Sequence, residues 1–373
     1  MKSLPMLGAA ARIYLRPIWF ADTPVGQDGR TARIGNSLIW FQGVEAVVRD
    51  GGQRLWRDSI AIDAVEDWIG TLPEHLAVAV RQQIAAIAAP RAPLTLGDRT
   101  IRLDLPQLMG ILNMTPDSFS DGGKHVGDPA AAADSGFAMH AAGAAIIDVG
   151  GESTRPGAAT VWEGDEIARV VPVIERLAKS GVVISIDTRK AAVMEAALAA
   201  GAHIVNDVSA LLHDPRSMEV VARAGCPVIL MHAPSTGDDP HQGDGYGDVV
   251  ADIFDWLSAR IDACVAGGIA RHRIIVDPGI GFGKSLADNL AISNRLTTFH
   301  ALGVPILYGA SRKRMIGALS NQAPVDQRLG GSVMIAAEAA RQGAQIVRVH
   351  DVPETVQAFH VWRGLRDAAL VAG

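Results

Sequence analysis

From about Gln107 to the C-terminus, one unit of sequence recurs at regular intervals. Each unit begins with a short apolar run, continues through a polar or glycine-rich loop and leads into an alanine-rich, amphipathic stretch. Continuous apolar runs of this length are typical of parallel strands that are buried on both faces. The eight runs lie at 108–112, 145–147, 182–186, 203–205, 227–231, 273–276, 305–308 and 345–349.

The stretches between these runs predict helices, for example at 128–142, 165–180, 189–200 and 330–342. Each of these four is followed by a glycine that suits a left-handed helix cap: Gly143, Gly181, Gly201 and Gly343. Eight strand-then-helix units in about 270 residues have the size and rhythm of a TIM barrel. We therefore predict an α/β chain built on a (β/α)8 barrel. A doubly wound open sheet is the alternative, but it rarely needs eight such regular units.

Polar side chains follow directly after the predicted strands. They are Asn113, Asp148, Asp187, Asn206, His232, Asp277, the segment 311–313 and His350. Barrel enzymes carry their active sites at the C-terminal ends of the strands, so these groups are expected to converge on one mouth. Structural polar residues would instead be scattered over both ends of the strands.

Residues 1–90 have a different pattern, which predicts a small α+β domain ahead of a barrel domain at 91–373. Strands are predicted at 12–19 and 37–41, and Thr71 and Glu74 suggest a capping box for a helix that runs to about Ala89. Pro90 and Pro93 mark a linker, and residues 94–101 predict a hairpin that closes the bottom of the barrel. The N-terminal part contains no catalytic constellation, and the sequence assigns it no role.

Composition narrows the possible partners. The net charge of −6 offers no global attraction for nucleic acid or an anionic membrane. Cys226 and Cys264 match no metal or redox spacing and are expected to be reduced thiols. The N-terminus is too weakly charged and apolar for a signal peptide, and no run approaches the length of a membrane helix. We therefore expect a cytoplasmic protein that acts on small molecules.

Two long loops carry the most specific motifs. The sequence NMTPDSFSDGG occupies 113–123 after the first strand, and DVGGESTRPG occupies 148–157 in and after the second. Further motifs are DT at 187–188, ND at 206–207, DPGIGFGK at 277–284, SRK at 311–313 and RVHD at 348–351. Together they resemble the dihydropteroate synthases from about Leu94 to the C-terminus, in the right order and at barrel spacing.

The resemblance implies the condensation of 6-hydroxymethyl-7,8-dihydropterin diphosphate with p-aminobenzoate in folate biosynthesis. A pterin edge alternates hydrogen-bond donors and acceptors, which buried Asp and Asn side chains can pair with. In the family this task falls to Asp187, Asn206 and Asp277, with Lys313 as a donor above the ring. Asp148 is expected among the substrate-binding residues as well.

The remaining site residues are also assigned by the resemblance. Thr154 would contact the pterin substrate, and the p-aminobenzoate pocket would be built from Arg155, Pro156, Phe282 and the segment from Ser311 to Lys313. The two long loops are expected to close over the site and exclude water, which is the competing nucleophile.

The departing diphosphate needs positive charge. Arg348 and His350 lie two apart on one strand and so face the same side. In the family they bind the phosphates. Asn113 would coordinate a Mg²⁺ through its side-chain oxygen, with phosphate oxygens as the main ligands, because Mg²⁺ is a hard ion that prefers oxygen. The predicted catalytic residues are Asp187, Lys313, Arg348 and His350. An aromatic amine is already unprotonated at neutral pH, so the reaction needs no strong general base.

Two alternatives stay open at this point: a folate-dependent methyltransferase domain, and a non-catalytic pterin-binding protein. The motifs expected to bind the diphosphate, at 153–157, 311–313 and 348–350, would have no purpose in a methyltransferase. The complete set of motifs argues against a protein that has lost its activity. The resemblance further implies a homodimer and a target of sulfonamides. The chain departs from the family pattern in two places. The Met-Gln-Gly that commonly follows the His of strand five is replaced after His232, and residues 1–90 have no counterpart in the family's usual, shorter chains.

Overall fold

The computed structural model describes residues 4–115, 128–155 and 157–371. The N-terminal part forms an antiparallel sheet with two helices. Its elements are β1 (Arg12–Ala21), β2 (Ala32–Arg33), β3 (Trp40–Asp50), β4 (Gln53–Ala61), α1 (Val65–Ile69) and α2 (Glu74–Ala88). Strand β3 is central, because β1 pairs with one of its edges while β4 and β2 share the other.

The prediction of a strand at 12–19 is confirmed, but that of a short strand at 37–41 was wrong. Strand β3 begins at Trp40 and continues to Asp50, and β4 was not predicted. The two strands are joined by Gly51 and Gly52, both with positive φ. A Gly-Gly pair between two strands is a hairpin signal, because such tight turns need positive φ at both central residues.

The predicted capping box of α2 was also wrong. The residue that precedes the helix is Pro73, which has no side chain able to cap it. The hydroxyl of Thr71 instead donates a 2.7 Å hydrogen bond to the carbonyl of Trp68, at the end of the preceding helix α1. Thr71 therefore closes one helix and does not open the next.

The predicted hairpin beneath the barrel is confirmed as β5 (Leu94–Leu96) and β6 (Arg99–Ile101). Leu94 and Leu96 are buried in one apolar cluster with residues from the beginnings of the barrel strands, among them Met109 and Ile346. The hairpin thus seals the end of the barrel opposite to the polar strand ends.

The eight-stranded parallel sheet is the (β/α)8 barrel expected from the sequence. Its strands are β7 (Gln107–Asn113), β8 (Ile146–Gly150), β9 (Ile184–Asp187), β10 (Ile204–Asp207), β11 (Val228–Met231), β12 (Ile274–Asp277), β13 (Leu307–Tyr308) and β14 (Ile346–Val349). They follow one another in chain order, and β14 pairs with β7. A parallel bridge between Val276 and Ile306 completes the ring.

Helices surround the strands. They are α3 (Pro129–Ala141), α4 (Glu163–Lys179), α5 (Ala191–Ala199), α6 (Ser217–Ala224), α7 (Val249–Ala266), α8 (Leu286–Asn294), α9 (Arg314–Leu319), α10 (Leu329–Arg341) and α11 (Val352–Val371). The four helices predicted from the sequence are confirmed, and Gly143, Gly181, Gly201 and Gly343 all adopt positive φ. No helix in the described ranges is both long enough and apolar enough to cross a membrane.

The N-terminal sheet packs directly against the barrel and shares its main apolar core. Tyr14 donates a 2.8 Å hydrogen bond to Asp255 of α7, and Arg49 pairs with Asp252 of the same helix at 2.7 Å. Arg91, which is 3% exposed, donates to the carbonyl of His300 at 3.1 Å. We call this interface between the N-terminal part and the barrel the seam. A domain boundary at residue 90 stays a prediction.

Candidate active site

The register of the barrel sheet brings the polar strand ends into one row. Asn113 lies beside Gly150, Gly150 beside Asp187, and Asp187 beside Asn206, on four successive strands. Neighbours in a parallel register point to the same side of a sheet. Asp148 precedes Gly150 by two positions and shares its orientation. The sheet therefore presents these side chains to the same mouth.

A network of charged side chains occupies this mouth. Arg348 of β14 donates through Nε to Asp148 Oδ2 at 2.6 Å and through Nη2 to Asp187 Oδ2 at 2.7 Å. Asn206 Nδ2 donates to Asp148 Oδ2 at 3.1 Å. Asp148 is completely buried, and its Oδ1 has no hydrogen-bond partner in the described part of the chain. The structure thus brings together four of the predicted site residues, whose individual roles stay predictions.

The electrostatics of this network follow from its burial. Burial raises the pKa of Asp187 above its usual range, although Arg348 counteracts the effect. Burial also raises the pKa of Asp277, whose Oδ1 accepts a 2.7 Å hydrogen bond from Gly279 N. Burial would lower the pKa of Arg348, but Asp148 and Asp187 outweigh it and raise that pKa. The arginine therefore stays charged between two carboxylates.

Lys313 and Phe282 form a second part of the mouth. Lys313 follows β13 and donates to the carbonyl of Ile280, in the loop after β12. Its Nζ lies 5.0 Å from the centre of the Phe282 ring, within the range of a cation–π contact. Burial lowers the pKa of Lys313 to about 8. The predicted pterin donor and the predicted p-aminobenzoate residue are therefore neighbours.

His350 lies against Ser311, with its Nδ1 3.0 Å from the serine hydroxyl. Burial lowers the pKa of His350 to about 3, helped by the positive charges of Arg348, Arg312 and Arg155. The imidazole is therefore neutral near pH 7. It can donate or accept a hydrogen bond to a ligand, but it adds no charge of its own.

Asn113 faces the same space. A Cβ built on Gly150 would lie 3.8 Å from Asn113 Oδ1 and 3.7 Å from Asp187 Oδ2, so the glycine leaves the gap between them open. Among the described residues, no group of three or more His, Cys, Asp or Glu side chains could hold a metal ion.

The second long loop holds Thr154 and Arg155, while Pro156 and the segment 116–127 lie outside the described residues. A buried ion cluster, which sequence reasoning missed, anchors the start of this loop. Glu152 pairs with Arg189 at 3.2 Å and with Lys190 at 2.9 Å, and Lys190 also pairs with Glu166 at 2.7 Å. The available signal was the Arg-Lys pair directly after Asp187 and Thr188, at the start of an apolar helix.

The segment 232–248 follows β11 and contacts the loop after β12 at the mouth. His232 lies 3.1 Å from Lys284 Nζ and packs edge-on against Trp256. Burial lowers the pKa of His232 to about 3 and that of Lys284 to about 7. His241, in the middle of the segment, contacts the Phe282 ring. Sequence reasoning missed His241, since a single histidine in a glycine- and aspartate-rich loop carries no periodic signal.

A (β/α)8 barrel with charged and amide side chains at its mouth is the architecture of an enzyme, and comparison with known proteins identifies its family. Residues 109–350 match the family model described as "Pterin binding enzyme". The dihydropteroate synthase of Escherichia coli K12 is 46% identical over 263 residues, which are 70% of this chain and 92% of that protein.

Two solved structures agree. The Xanthomonas albilineans dihydropteroate synthase with 4-aminobenzoic acid is 47% identical, with a TM-score of 0.68 over 74% of this chain and 98% of that one. The Yersinia pestis enzyme in a complex with a sulfonamide drug is 47% identical, with a TM-score of 0.71 over 74% of this chain and 100% of that one. The chain belongs to the dihydropteroate synthase family.

Proposed function

We propose that the chain is a transferase that condenses 6-hydroxymethyl-7,8-dihydropterin diphosphate with p-aminobenzoate to give 7,8-dihydropteroate and diphosphate. The observation that carries the proposal is the barrel mouth where Asp148, Asp187, Asn206 and Arg348 meet. Similar barrels include one solved with 4-aminobenzoic acid and one solved with a sulfonamide drug.

The pterin edge would pair with Asp187, Asn206 and Asp277. Two of these side chains are neighbours in the strand register, and Asp277 lies at the end of β12. A site of buried acceptors discriminates strongly, since a ligand without the matching donors leaves those acceptors unpaired. Thr154 and Lys313 would contact the same substrate from the loops.

The diphosphate would be held by Arg348 and His350. Arg348 supplies positive charge, and His350, which is neutral before an anion binds, supplies a hydrogen bond. Both interactions would strengthen as negative charge develops on the leaving group, which is how a site lowers a barrier.

Mg²⁺ is the proposed cofactor, and Asn113 its proposed protein ligand. The donor set fits, because Mg²⁺ prefers a few protein oxygens together with phosphate oxygens and water. The ion would neutralise charge on the diphosphate. Asn113 would fix the position of the phosphates relative to Asp187, which flanks the same glycine.

In the proposed reaction the bond between the pterin methylene carbon and the diphosphate oxygen breaks, and the electron pair leaves with the diphosphate. The amine nitrogen of p-aminobenzoate bonds to that carbon and then loses a proton to solvent. Asp187 and Asp277 would favour the positive charge that develops on the pterin. Closure of the loops after β7 and β8 would exclude water as a competing nucleophile.

We also propose a homodimer and a cytoplasmic location. The dimer is supported by exposed apolar side chains on the last two helices, Met334 on α10 and Val361 and Leu365 on α11. Light scattering of the purified chain tests it. The location is supported by the two unpaired, buried cysteines, as expected in a reducing compartment.

The test of the activity is the stoichiometry of the purified chain with both substrates and Mg²⁺. We expect one diphosphate released for each dihydropteroate formed, and no release when either p-aminobenzoate or Mg²⁺ is omitted. A sulfonamide should inhibit competitively with p-aminobenzoate. Methyl transfer from a folate, or tight pterin binding without turnover, would support one of the two alternatives and overturn the proposal.

A further inference from the structure

His241 lies where three loops of the barrel mouth meet. Its ring stacks on Phe282 of the loop after β12, with centroids 5.0 Å apart and an angle of 8° between the planes. Its Nδ1 accepts a 3.3 Å hydrogen bond from the backbone N–H of Gly283. Its Nε2 is 2.9 Å from the carbonyl oxygen of Thr154, in the loop after β8.

These contacts fix the tautomer and the position of the ring. Because Gly283 N–H donates to Nδ1, the ring hydrogen must lie on Nε2, where it is donated to Thr154. The two loops are also pressed together: a Cβ on Gly283 would lie 2.3 Å from Pro234 Cγ and 2.7 Å from the carbonyl oxygen of His241. Only a glycine allows this approach.

The segment that carries His241 is held on both sides of it. On one side, Arg189 Nη1 donates to the carbonyls of Gly237 at 2.9 Å and Asp238 at 3.0 Å. On the other side, Asp252 accepts from the backbone N–H groups of Gly247 at 2.8 Å and Asp248 at 3.0 Å. The imidazole is thus presented from a fixed piece of backbone.

The N-terminal part supports the second of these attachments. Arg49 of β3 pairs with the other carboxylate oxygen of Asp252 at 2.7 Å, and its Nη2 donates to Gly52 at 2.9 Å. The N-terminal sheet therefore contacts the C-terminal end of the segment that carries His241.

We propose that His241 is a positioning residue of the p-aminobenzoate pocket. It holds the Phe282 ring in place by stacking, and it ties the loop of Thr154 and Arg155 to that ring. The proposal rests on the proposed function, because it assumes that Phe282 lines the pocket for the aromatic amine.

The expected effect is on binding of one substrate. His241→Ala removes the stack and the tie, and should raise KM for p-aminobenzoate about tenfold, the size of one aromatic contact plus one hydrogen bond. The turnover rate and KM for the pterin diphosphate should stay within about threefold, because an interaction made equally in ground and transition state changes KM alone. The inhibition constant of a sulfonamide should rise in parallel.

Two further variants define the test. His241→Phe keeps an aromatic ring on Phe282 and should recover most of the lost affinity. Gln242→Ala changes the next residue, whose side chain is exposed, and should behave as wild type. Thermal melts and calorimetric binding of the pterin diphosphate monitor the fold of each variant.

The proposal is overturned if His241→Ala leaves KM for p-aminobenzoate within twofold, or if it lowers turnover with KM unchanged. If His241→Ala does not fold, His241→Phe decides the question: a KM for p-aminobenzoate more than fivefold above wild type contradicts the proposal. A wild-type chain that forms no dihydropteroate would refute the proposed function itself, which is a separate outcome from an active enzyme indifferent to His241.

Discussion

Arg91 at the seam is buried and Arg348 at the barrel mouth is half-buried, and the two arginines have partners of different kinds. At the seam, Arg91 donates to three backbone carbonyls, one of them that of His300. At the mouth, Arg348 pairs with the side chains of Asp148 and Asp187. Burial lowers the pKa of Arg91 to about 10, whereas the two carboxylates raise that of Arg348.

The difference shows which charges can respond to a ligand. Backbone carbonyls in packed elements neither titrate nor rotate, so Arg91 has one arrangement and can contribute only to stability. Carboxylate side chains can rotate, change protonation or be replaced by phosphate oxygens, so the contacts of Arg348 can be exchanged when an anion binds. Changes at the mouth should therefore alter kinetics, and changes at the seam should alter the free energy of unfolding.

The largest change is expected in the pterin affinity of Asp187→Ala, which removes a carboxylate from the mouth and no contact from the seam. The variant loses its bidentate acceptor for the pterin edge, and affinity for the pterin diphosphate should fall by roughly 1,000-fold or more. Isothermal titration calorimetry measures it. Asp134→Ala, an exposed aspartate on α3, is the matched control and should bind normally. Normal pterin affinity in Asp187→Ala would remove Asp187 from the pterin site.

Arg348→Ala removes the positive charge that we expect to exchange its carboxylate partners for phosphate oxygens. Losing one donor to a developing oxyanion typically costs about 100- to 1,000-fold in rate, so turnover should fall by that factor. His350→Ala should lower turnover by a smaller factor, because Arg348 still contacts the diphosphate when the imidazole is lost. Steady-state kinetics with both substrates varied gives the rates, and a thermal melt shows whether the carboxylates left without a cation have destabilised the fold.

The control for Arg348→Ala is Arg341→Ala, which removes an exposed arginine that pairs with Glu338 on α10. This variant should keep wild-type turnover. A folded Arg348→Ala enzyme with near-normal turnover would contradict the diphosphate assignment, and would reopen the choice between a synthase and a methyltransferase.

On the N-terminal side of the seam, the expected change is in stability alone. Leu76 on α2 is 1% exposed, and Leu76→Ala should lower the free energy of unfolding by about 2–5 kcal/mol through the lost contacts and the cavity left behind. Val78→Ala, two positions on and 43% exposed, should change it by about 0.5 kcal/mol or less. Urea unfolding measures both. A change of more than about twofold in kcat/KM for Leu76→Ala below its melting range would show that the helix acts on the mouth.

The same contrast explains what could be predicted from the sequence. The barrel was predictable because each strand is buried on both faces and reads as a continuous apolar run. Strand β3 was missed over most of its length because Glu45 and Arg49 interrupt its apolar pattern, although both are buried. Ion pairs make that burial possible: Glu45 pairs with Arg57 on the neighbouring strand β4, and Arg49 pairs with Asp252, 203 positions away in the sequence.

In the site, residues at strand ends were predictable because their position in the fold follows from the strand itself. The relation of Asp187 to Asn206, for example, is set by register. His241 was not predictable, since its contacts with Phe282 and Thr154 depend on the path of three loops. No local pattern encodes where such loops meet.

The smallest expected effect is a pH dependence that belongs to the mouth and not to the seam. Burial lowers the pKa of Lys313 to about 8, so the free enzyme loses this positive charge as the pH rises through that value. If the charged amine attracts the pterin diphosphate, kcat/KM for that substrate should fall as the pH rises above 8, approaching tenfold per pH unit, because kcat/KM follows ionisations of the free enzyme.

Lys313→Arg is the variant that decides whether the decline in kcat/KM above pH 8 is caused by Lys313. A guanidinium stays charged throughout the range, so the decline above pH 8 should disappear even if the absolute rate is lower. Lys284→Met removes a second half-buried lysine, whose pKa is lowered to about 7, and should leave the decline in place. Arg91 at the seam, with a pKa of about 10, stays charged over most of the same range, so it cannot cause the decline in kcat/KM. A decline that persists unchanged in Lys313→Arg would assign it to another group and separate Lys313 from recognition of the diphosphate substrate.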